Sequence, residues 1–530
     1  MAKKKVLLVV IDALATRVIE PALAEGKLPN LAKLVEAGHF VPRCTPAFPS
    51  ITPAATTTIA TGEYPARHGI LGNYWYDESQ DKVVYLGDDF WVLINKGFGE
   101  FFRDYVEQLN YQQLRAKSIF QLIEKHGLET ACINYLCIRG EVPHELNVPL
   151  LLQLLPGANF PERISGPQKL FLGDFISSAV SDQTSEPPRI DDTIFSRYGF
   201  NDAASGKYLL SLAEAEELPD FTLAYFPDND YASHDHGPEQ ALETVVKVDE
   251  CLGRFAVARD GWKALLEQVS VLVTGDHSQT DQSESEEERG IQLEELLAPF
   301  SLAKAGTSWD REEDLMVCPN MRAAQIYLRE NQKQLRQEIV EKLLCDSRVD
   351  QVFWQSPNDD DPESRERWTI ATRDRGELSF SHANDQGGAP TDEYGNRWRL
   401  DGNLEVIDAR LEADGKIAYG NYPNALERIA LAFTRESGDL WATAVPGCEF
   451  MIPDTELHER GSHGSLHTLD STSPLIAAGL PLEMELPANP RSVDILPLCL
   501  QILDVPTSRE VGAGHLAVPL LTPQNQPYRE

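Results

Sequence analysis

The sequence predicts an α/β fold: a doubly wound, mostly parallel sheet flanked by helices, with an inserted α+β cap subdomain. Three observations predict it. Short, wholly apolar segments recur along the chain, as in strands buried on both faces. Helical patterns lie between them, closed by glycine, and strand alternating with helix builds a parallel sheet. Between roughly residues 283 and 450 this texture gives way to acidic runs, turns and one amphipathic helix, and then returns.

The first strand is Val6–Ile11 (VLLVVI). Its apolar run is too short for a signal peptide, is broken by Asp12 and lacks a small-residue cleavage site. LPNLAKLVEAG, ending at Gly38, is a helical pattern. Next, Thr52 at the N-cap, Pro53 at the first helical position and Gly62 past the end define a helix over Pro53–Thr61. Its threonine run is a mediocre helix former, so tertiary contacts must support it. SIFQLIEKHG, ending at Gly127, is another helix. Ala131–Leu136 (ACINYL), Phe221–Phe226 (FTLAYF) and Val269–Val273 (VSVLV) are further strands. SESEEERG (283–290) is a solvated acidic run, and SPNDDDPESRER (356–367) is a loop. Between them Leu335, Ile339, Val340, Leu343 and Leu344 recur at helical spacing. DEYGNRWRLDGNLEV (392–406) reads as turns and strands. Leu475–Ala478 (LIAA) restores the strand pattern, and RSVDILPLCLQIL is a terminal helix. The division is a catalytic core of residues 1–282 and 451–530 around an inserted cap or substrate subdomain, 283–450.

Of 530 residues, 42% are hydrophobic and 25% charged, a globular composition. The net charge of -36 argues against nucleic-acid polymers and anionic membranes as partners. An anionic substrate then needs a local positive centre. Eight scattered cysteines with no CxxC argue against a disulfide framework or a cysteine zinc site and fit a reducing, cytoplasmic setting. No apolar run is long enough to span a bilayer. Oligomeric state is not written in the sequence.

The chemistry lies just past the ends of the strands. VLLVVI runs into Asp12, FTLAYF into PDNDYASHDHGP, and VSVLV into TGDHSQTD. In an open parallel sheet, sites form beyond the carboxyl ends of the strands. Asp12, Asp230, His234, Asp276 and His277 therefore have a common edge on which to converge. Singly, an aspartate after a strand is usually a cap, and an Asp-His pair usually a loop. Together they are a ligand set for Zn²⁺, with Mn²⁺ as the alternative, large enough for two ions. Two ions about 3.5–4 Å apart can hold an attacking oxygen and stabilise a phosphoryl group. Thr52 stands at a helix N-terminus, where a phosphate is favoured. Its hydroxyl is either a cap alone or a nucleophile awaiting activation.

VVIDAL, LPNLAKLVEAG, FPSITPAATTTIATGEYPARHGILGNYWYD, PDNDYASHDHGP, TGDHS and GSHGS stand in an order and spacing that resemble the type I phosphodiesterase/nucleotide pyrophosphatase family, of the alkaline phosphatase superfamily. The resemblance covers about residues 5–280 and 455–505 and is weak across 283–450. It implies that Thr52 is the nucleophile. It implies that Asp12, Asp276 and His277 hold one metal, which also binds Thr52, and that Asp230, His234 and His463 hold the second. Asp228 and His236 are rivals within DNDYASHDH, and His467 is the rival of His463. The implied reaction is hydrolysis of a small-molecule phosphodiester or nucleotide pyrophosphate through a phospho-threonine.

One departure is Ala55. Nucleotide-cleaving relatives usually carry Asn there, donating to a phosphoryl oxygen, a loss worth about 2.7–4 kcal/mol unless replaced. Helix N–H groups, Asn73 or the cap are the candidate replacements. Tyr74, Trp75 and Tyr76 are read first as packing and second as a stacking platform. The alternatives are a phosphomonoesterase or phosphonate (C–P) hydrolase of the same superfamily and, in another class, an inactive metal-stabilised binding module.

Overall fold

The computed structural model describes residues 4–86, 102–148, 160–180, 194–304, 307–309, 313–330, 333–357, 366–383, 388–453 and 457–506. Eight strands form the central sheet. They are β1 (Lys5–Ile11), β2 (Gly38–Cys44), β3 (Thr130–Ile133), β4 (Lys169–Leu172), β5 (Ile176–Ser177), β6 (Phe221–Phe226), β7 (Val269–Thr274) and β8 (Ser473–Ala478). Their order is β2-β8-β7-β1-β6-β3-β4-β5. The run β7-β1-β6-β3-β4 is parallel throughout. β8 runs antiparallel to both β7 and β2, and β5 to β4.

β1 shows why the strands lack polar alternation. Val6, Leu8 and Val10 enter one hydrophobic core, while Leu7, Val9 and Ile11 enter the core on the opposite face. With helices on both faces, no position along VLLVVI meets water. β3 is shorter than ACINYL predicts. Asn134 turns the chain at φ +53° and spends its side chain on Gly199 O, Ser205 Oγ and Gly173 N.

Three helices matter for the site: α1 (Thr52–Thr61), α2 (Asp228–His236) and α3 (Ser492–Ile502). α1 is buried along its whole length except at Thr52 and packs against α3. Two of its buried threonines are satisfied because their hydroxyls bond back to carbonyls four residues earlier, Thr58 to Ala54 at 2.8 Å and Thr61 to Thr57 at 2.7 Å. Gly62, left-handed at φ +66°, ends the helix.

A second sheet of seven strands is antiparallel throughout. Its order is Leu315–Asn320, Ala323–Leu328, Leu440–Ala444, Val349–Pro357, Glu366–Thr372, Gly376–His382 and Trp398–Gly402. The amphipathic helix Lys333–Leu343 buries Ile339, Val340 and Leu343 against it. Residues 358–365 of the acidic loop lie outside the described residues. Trp75 enters the central core, and Tyr74 and Tyr76 enter the core of the second sheet, so all three are packing residues and no stacking platform.

The two layers meet through a buried ion cluster. Arg491, just before α3, donates to both carboxylate oxygens of Glu427 at 2.7 Å. Tyr64 OH donates to Glu427 at 2.9 Å, and Arg491 also pairs with Asp494 at 3.1 Å. None of the eight cysteines is in a disulfide. Among the described residues no helix is long and apolar enough to cross a membrane.

Candidate active site

The parallel strands deliver their last residues to one edge. β1 ends at Ile11, and Asp12 extends its pairing by donating its N–H to Phe226 O of β6 at 3.0 Å. β6 runs into α2, which carries Asp230 and His234 one turn apart on its buried face, while Asp235 and His236 are exposed. β7 leads to Asp276 and His277. The two-residue strand Gly461–Ser462 brings in His463.

His277 is the hub. Its Nε2 lies 3.0 Å from Thr52 Oγ1, 3.4 Å from Asp12 Oδ1 and 3.7 Å from Asp276 Oδ2. Asp230 reaches His234 Nε2 with one oxygen at 3.4 Å and His463 Nε2 with the other at 3.8 Å. Two sets of ligand atoms lie within 4.8 Å of one another: Asp12, Asp276, His277 and Asp230, His277, His463. His277 thus belongs to both sets, whereas the resemblance gives it only to the first and places His234 in the second. His277 and His463 stack with centroids 3.8 Å apart.

Each imidazole is anchored from behind. His234 Nδ1 meets Gly461 O at 2.8 Å, His463 Nδ1 meets Ser50 O at 2.7 Å, and His277 Nδ1 meets Ser278 O at 3.1 Å. This leaves Nε2 of each ring facing the cluster, the arrangement of metal-ligating histidines. Asp12 Oδ1, Asp276 Oδ2, His234 Nε2 and His463 Nε2 are all buried with no hydrogen-bond partner in the protein. Buried orphans of this kind are rare, and four aimed at one place fit a bound cation.

The electrostatics agree. Asp12 is held well above the usual carboxylate range by burial first, then by Asp276 and Asp230. Burial also raises Asp276, with His277 opposing. Burial would raise Asp230 too, but the imidazoles of His234, His463 and His277 outweigh it and bring it below its ordinary value. Burial, then the neighbouring His277, lowers His463 well below its ordinary value. Three crowded carboxylates call for positive charge among them.

The rival ligands are occupied elsewhere. Asp228 pairs with Arg197 and accepts from Asp202 N at 3.1 Å. His467 caps a short helix, its Nδ1 accepting from Leu469 N at 3.2 Å. Thr52 is not the N-cap that its place before Pro53 predicts. The helix begins at Thr52 itself, Ile51 holds the cap position, and the Thr52 hydroxyl turns instead to His277. Sequence reasoning misses Tyr225, whose OH donates to Asp12 Oδ2, and Gln279, whose amide donates to Asp230 Oδ1. The one signal for Tyr225 is a phenol one residue from the end of a wholly buried strand.

Comparison with known proteins gives a consistent picture. The model of the family described as type I phosphodiesterase / nucleotide pyrophosphatase matches residues 6–466. An uncharacterized pyrophosphatase/phosphodiesterase of Schizosaccharomyces pombe is 47% identical over 55 residues, 10% of this chain and 11% of that protein. The match therefore spans about a tenth of that relative's length. Murine ectonucleotide pyrophosphatase / phosphodiesterase 5 shares the fold at TM-score 0.52 and 16% identity, over 95% of this chain and 96% of its own. An inactive threonine-to-alanine form of that enzyme has been solved in complex with AMP. Phosphonoacetate hydrolase of Sinorhizobium meliloti 1021, with phosphonoformate, superposes at TM-score 0.53 and 17% identity, over 94% of this chain and 96% of its own. The chain belongs to the type I phosphodiesterase / nucleotide pyrophosphatase family, a family of metal-dependent hydrolases.

Proposed function

We propose that this protein hydrolyses phosphoric diesters or nucleotide pyrophosphate bonds through a phospho-threonine on Thr52. Residues 1–282 and 451–530 act as the catalytic core, and 283–450 as the substrate-facing subdomain. The observation that carries this reading is the set of four unpartnered ligand atoms beside the Thr52 hydroxyl. Asp12, Asp276 and His277 would hold one cation, and Asp230, His234 and His463 the other. Two divalent cations, zinc or manganese, would lower the pKa of the threonine hydroxyl and of a water and neutralise phosphoryl charge.

The chain's own residues do the rest. His277 Nε2 lies 3.0 Å from the Thr52 oxygen, so a cation held on that nitrogen would stand beside it, and the first turn of α1 presents its dipole to the phosphate. The Thr52 hydroxyl releases its proton to solvent as its oxygen bonds to phosphorus, and the leaving oxygen departs with the electron pair of its broken P–O bond. A water oxygen then bonds to phosphorus and loses a proton, the bond to Thr52 breaks with its electron pair on the threonine oxygen, and that oxygen takes up a proton to restore the hydroxyl. Asn73, which is buried, would replace the donor missing at Ala55 through its side-chain Nδ2. The inactive threonine variant of the murine enzyme supports the role of Thr52, and its AMP supports a nucleotide-sized ligand.

The test is a panel of bis-p-nitrophenyl phosphate, p-nitrophenyl phosphate, a dinucleotide and phosphonoacetate, run with zinc- or manganese-loaded protein. Diester cleavage lost on chelation is expected. Preference for the monoester or the phosphonate selects the other superfamily chemistry, which Ala55 leaves open. Inactivity on the whole panel by a metal-replete protein refutes hydrolysis and leaves a binding module.

A further inference from the structure

The second sheet sends a hairpin tip against backbone segments beside the site. Strands Leu315–Asn320 and Ala323–Leu328 turn through Met321, left-handed at φ +55°. On either side of it, Asn320 and Arg322 are 1% and 0% exposed. Burying an amide and a guanidinium is costly unless hydrogen bonds replace the lost water.

Asn320 replaces it as a piece of backbone would. Its Oδ1 accepts from Asn73 N at 2.7 Å and Tyr74 N at 3.1 Å, and its Nδ2 donates to Tyr74 O at 2.8 Å and Cys318 O at 3.1 Å. Gly72 makes room for it: a Cβ there would stand 2.3 Å from Asn320 Oδ1, on a backbone at φ +142°. Behind the turn, Arg322 N donates to His463 O at 3.0 Å. A Cβ on Gly464 would meet Ile51 Cδ1 at 2.8 Å and Asn320 O at 3.0 Å. The Arg322 guanidinium donates to Thr280 O at 3.0 Å and to Asp281 O at 3.1 Å, three and four residues beyond His277. One turn therefore touches the segments that carry Asn73, His277 and His463, and Gly464 lies between it and Ile51, the residue before Thr52.

Resting on the function proposed above, in which Asn73 is the phosphoryl donor, we propose that Asn320 is a positioning residue for that reaction: it fixes the backbone of Asn73 and Tyr74 against the His463 segment and so sets the direction of the Asn73 side-chain amide. A role in stability alone would lower the melting temperature and leave turnover per folded molecule intact.

The test is Asn320→Ala in the full-length, metal-loaded protein, with two readouts. Deuterium uptake of peptides covering residues 71–76 reads the backbone without reference to activity. Turnover of bis-p-nitrophenyl phosphate reads the consequence, below the melting temperature of the variant. Uptake should rise in those peptides, and kcat should fall about 10- to 100-fold with KM within about threefold. Asn320→Asp keeps an acceptor for both amides, and it should retain protection and lose less turnover. It decides the question alone if Asn320→Ala does not fold. In either variant protection and turnover must move together, and either moving alone overturns the proposal. So does an Asn320→Ala protein in which neither moves. An active wild type indifferent to Asn320 sinks this inference only, whereas an inactive wild type sinks the hydrolytic reading beneath it.

Discussion

Replacing Thr52 by Ala separates chemistry from fold. An N-cap threonine would cost about 0.5–2 kcal/mol on removal. Thr52 makes no cap bond, because Ile51 occupies that position. What alanine removes is one hydrogen bond, Thr52 Oγ1 to His277 Nε2 at 3.0 Å, worth about 1 kcal/mol. Alanine returns roughly half of that through its higher helix propensity. The net is within about 1 kcal/mol, which in a chain this long shifts the melting temperature by no more than about 2 °C. His277 keeps Asp12 and Asp276 as neighbours, so the metal cradle stays whole. The variant should therefore melt like the wild type, retain its metal by elemental analysis and show no turnover of bis-p-nitrophenyl phosphate. A variant that still turns over, or one that loses several degrees or its metal along with activity, would refute the assignment of Thr52 as nucleophile.

Three further outcomes are expected. His463→Ala should lower the metal content of the purified protein and His467→Ala should not, since only the former presents a buried, unpartnered Nε2; equal retention by both reverses the assignment. Arg491→Met should cost about 3–5 kcal/mol in urea unfolding by stranding the Glu427 carboxylate, whereas a double replacement by apolar residues of similar volume should recover most of it. His68, buried between Thr58 Oγ1 and Ile70 N, is lowered by burial from 6.5 to about 3. Because the unfolded chain takes up the proton first, stability is full above pH 6.5 and falls as pH drops toward 3, by about 2 kcal/mol at pH 5. His68→Gln should flatten the measured stability between pH 7 and 5 by that amount, and parallel curves would exclude His68 as the source.

The legible parts of the site are those with a local cause. An apolar run ending in a carboxylate locates Asp12 and the Asp276–His277 pair, because a strand buried on both faces can turn polar only where it leaves the sheet. A four-residue spacing puts Asp230 and His234 on one face of α2. His463 has no such cause. It comes after a two-residue strand with no periodicity, and only the resemblance points to it. Strand direction is equally silent: LIAA is as apolar as its parallel neighbours, yet β8 runs against them. Asn320 and Arg322 are illegible for a third reason. Asn320 bonds to Asn73 and Tyr74 across 247 and 246 positions of chain, and no spacing rule reaches that far. The orientation of Thr52 is decided by His277, from 225 positions away, against the local preference of a threonine before proline.

The buried Glu427–Arg491 pair bears on how such enzymes can be re-engineered. Glu427 arrives with the second layer, while Arg491 precedes α3, the helix that supports α1 and hence Thr52. Grafting a foreign segment in place of residues 283–450 would delete Glu427 and Asn320 together, leaving the Arg491 guanidinium with Asp494 alone beneath the helix that carries Thr52 and an untethered Asn73. Chimeras of this kind should fail to fold unless residues 320, 322 and 427 travel with the graft or Arg491 is neutralised, so the second layer is not a detachable module.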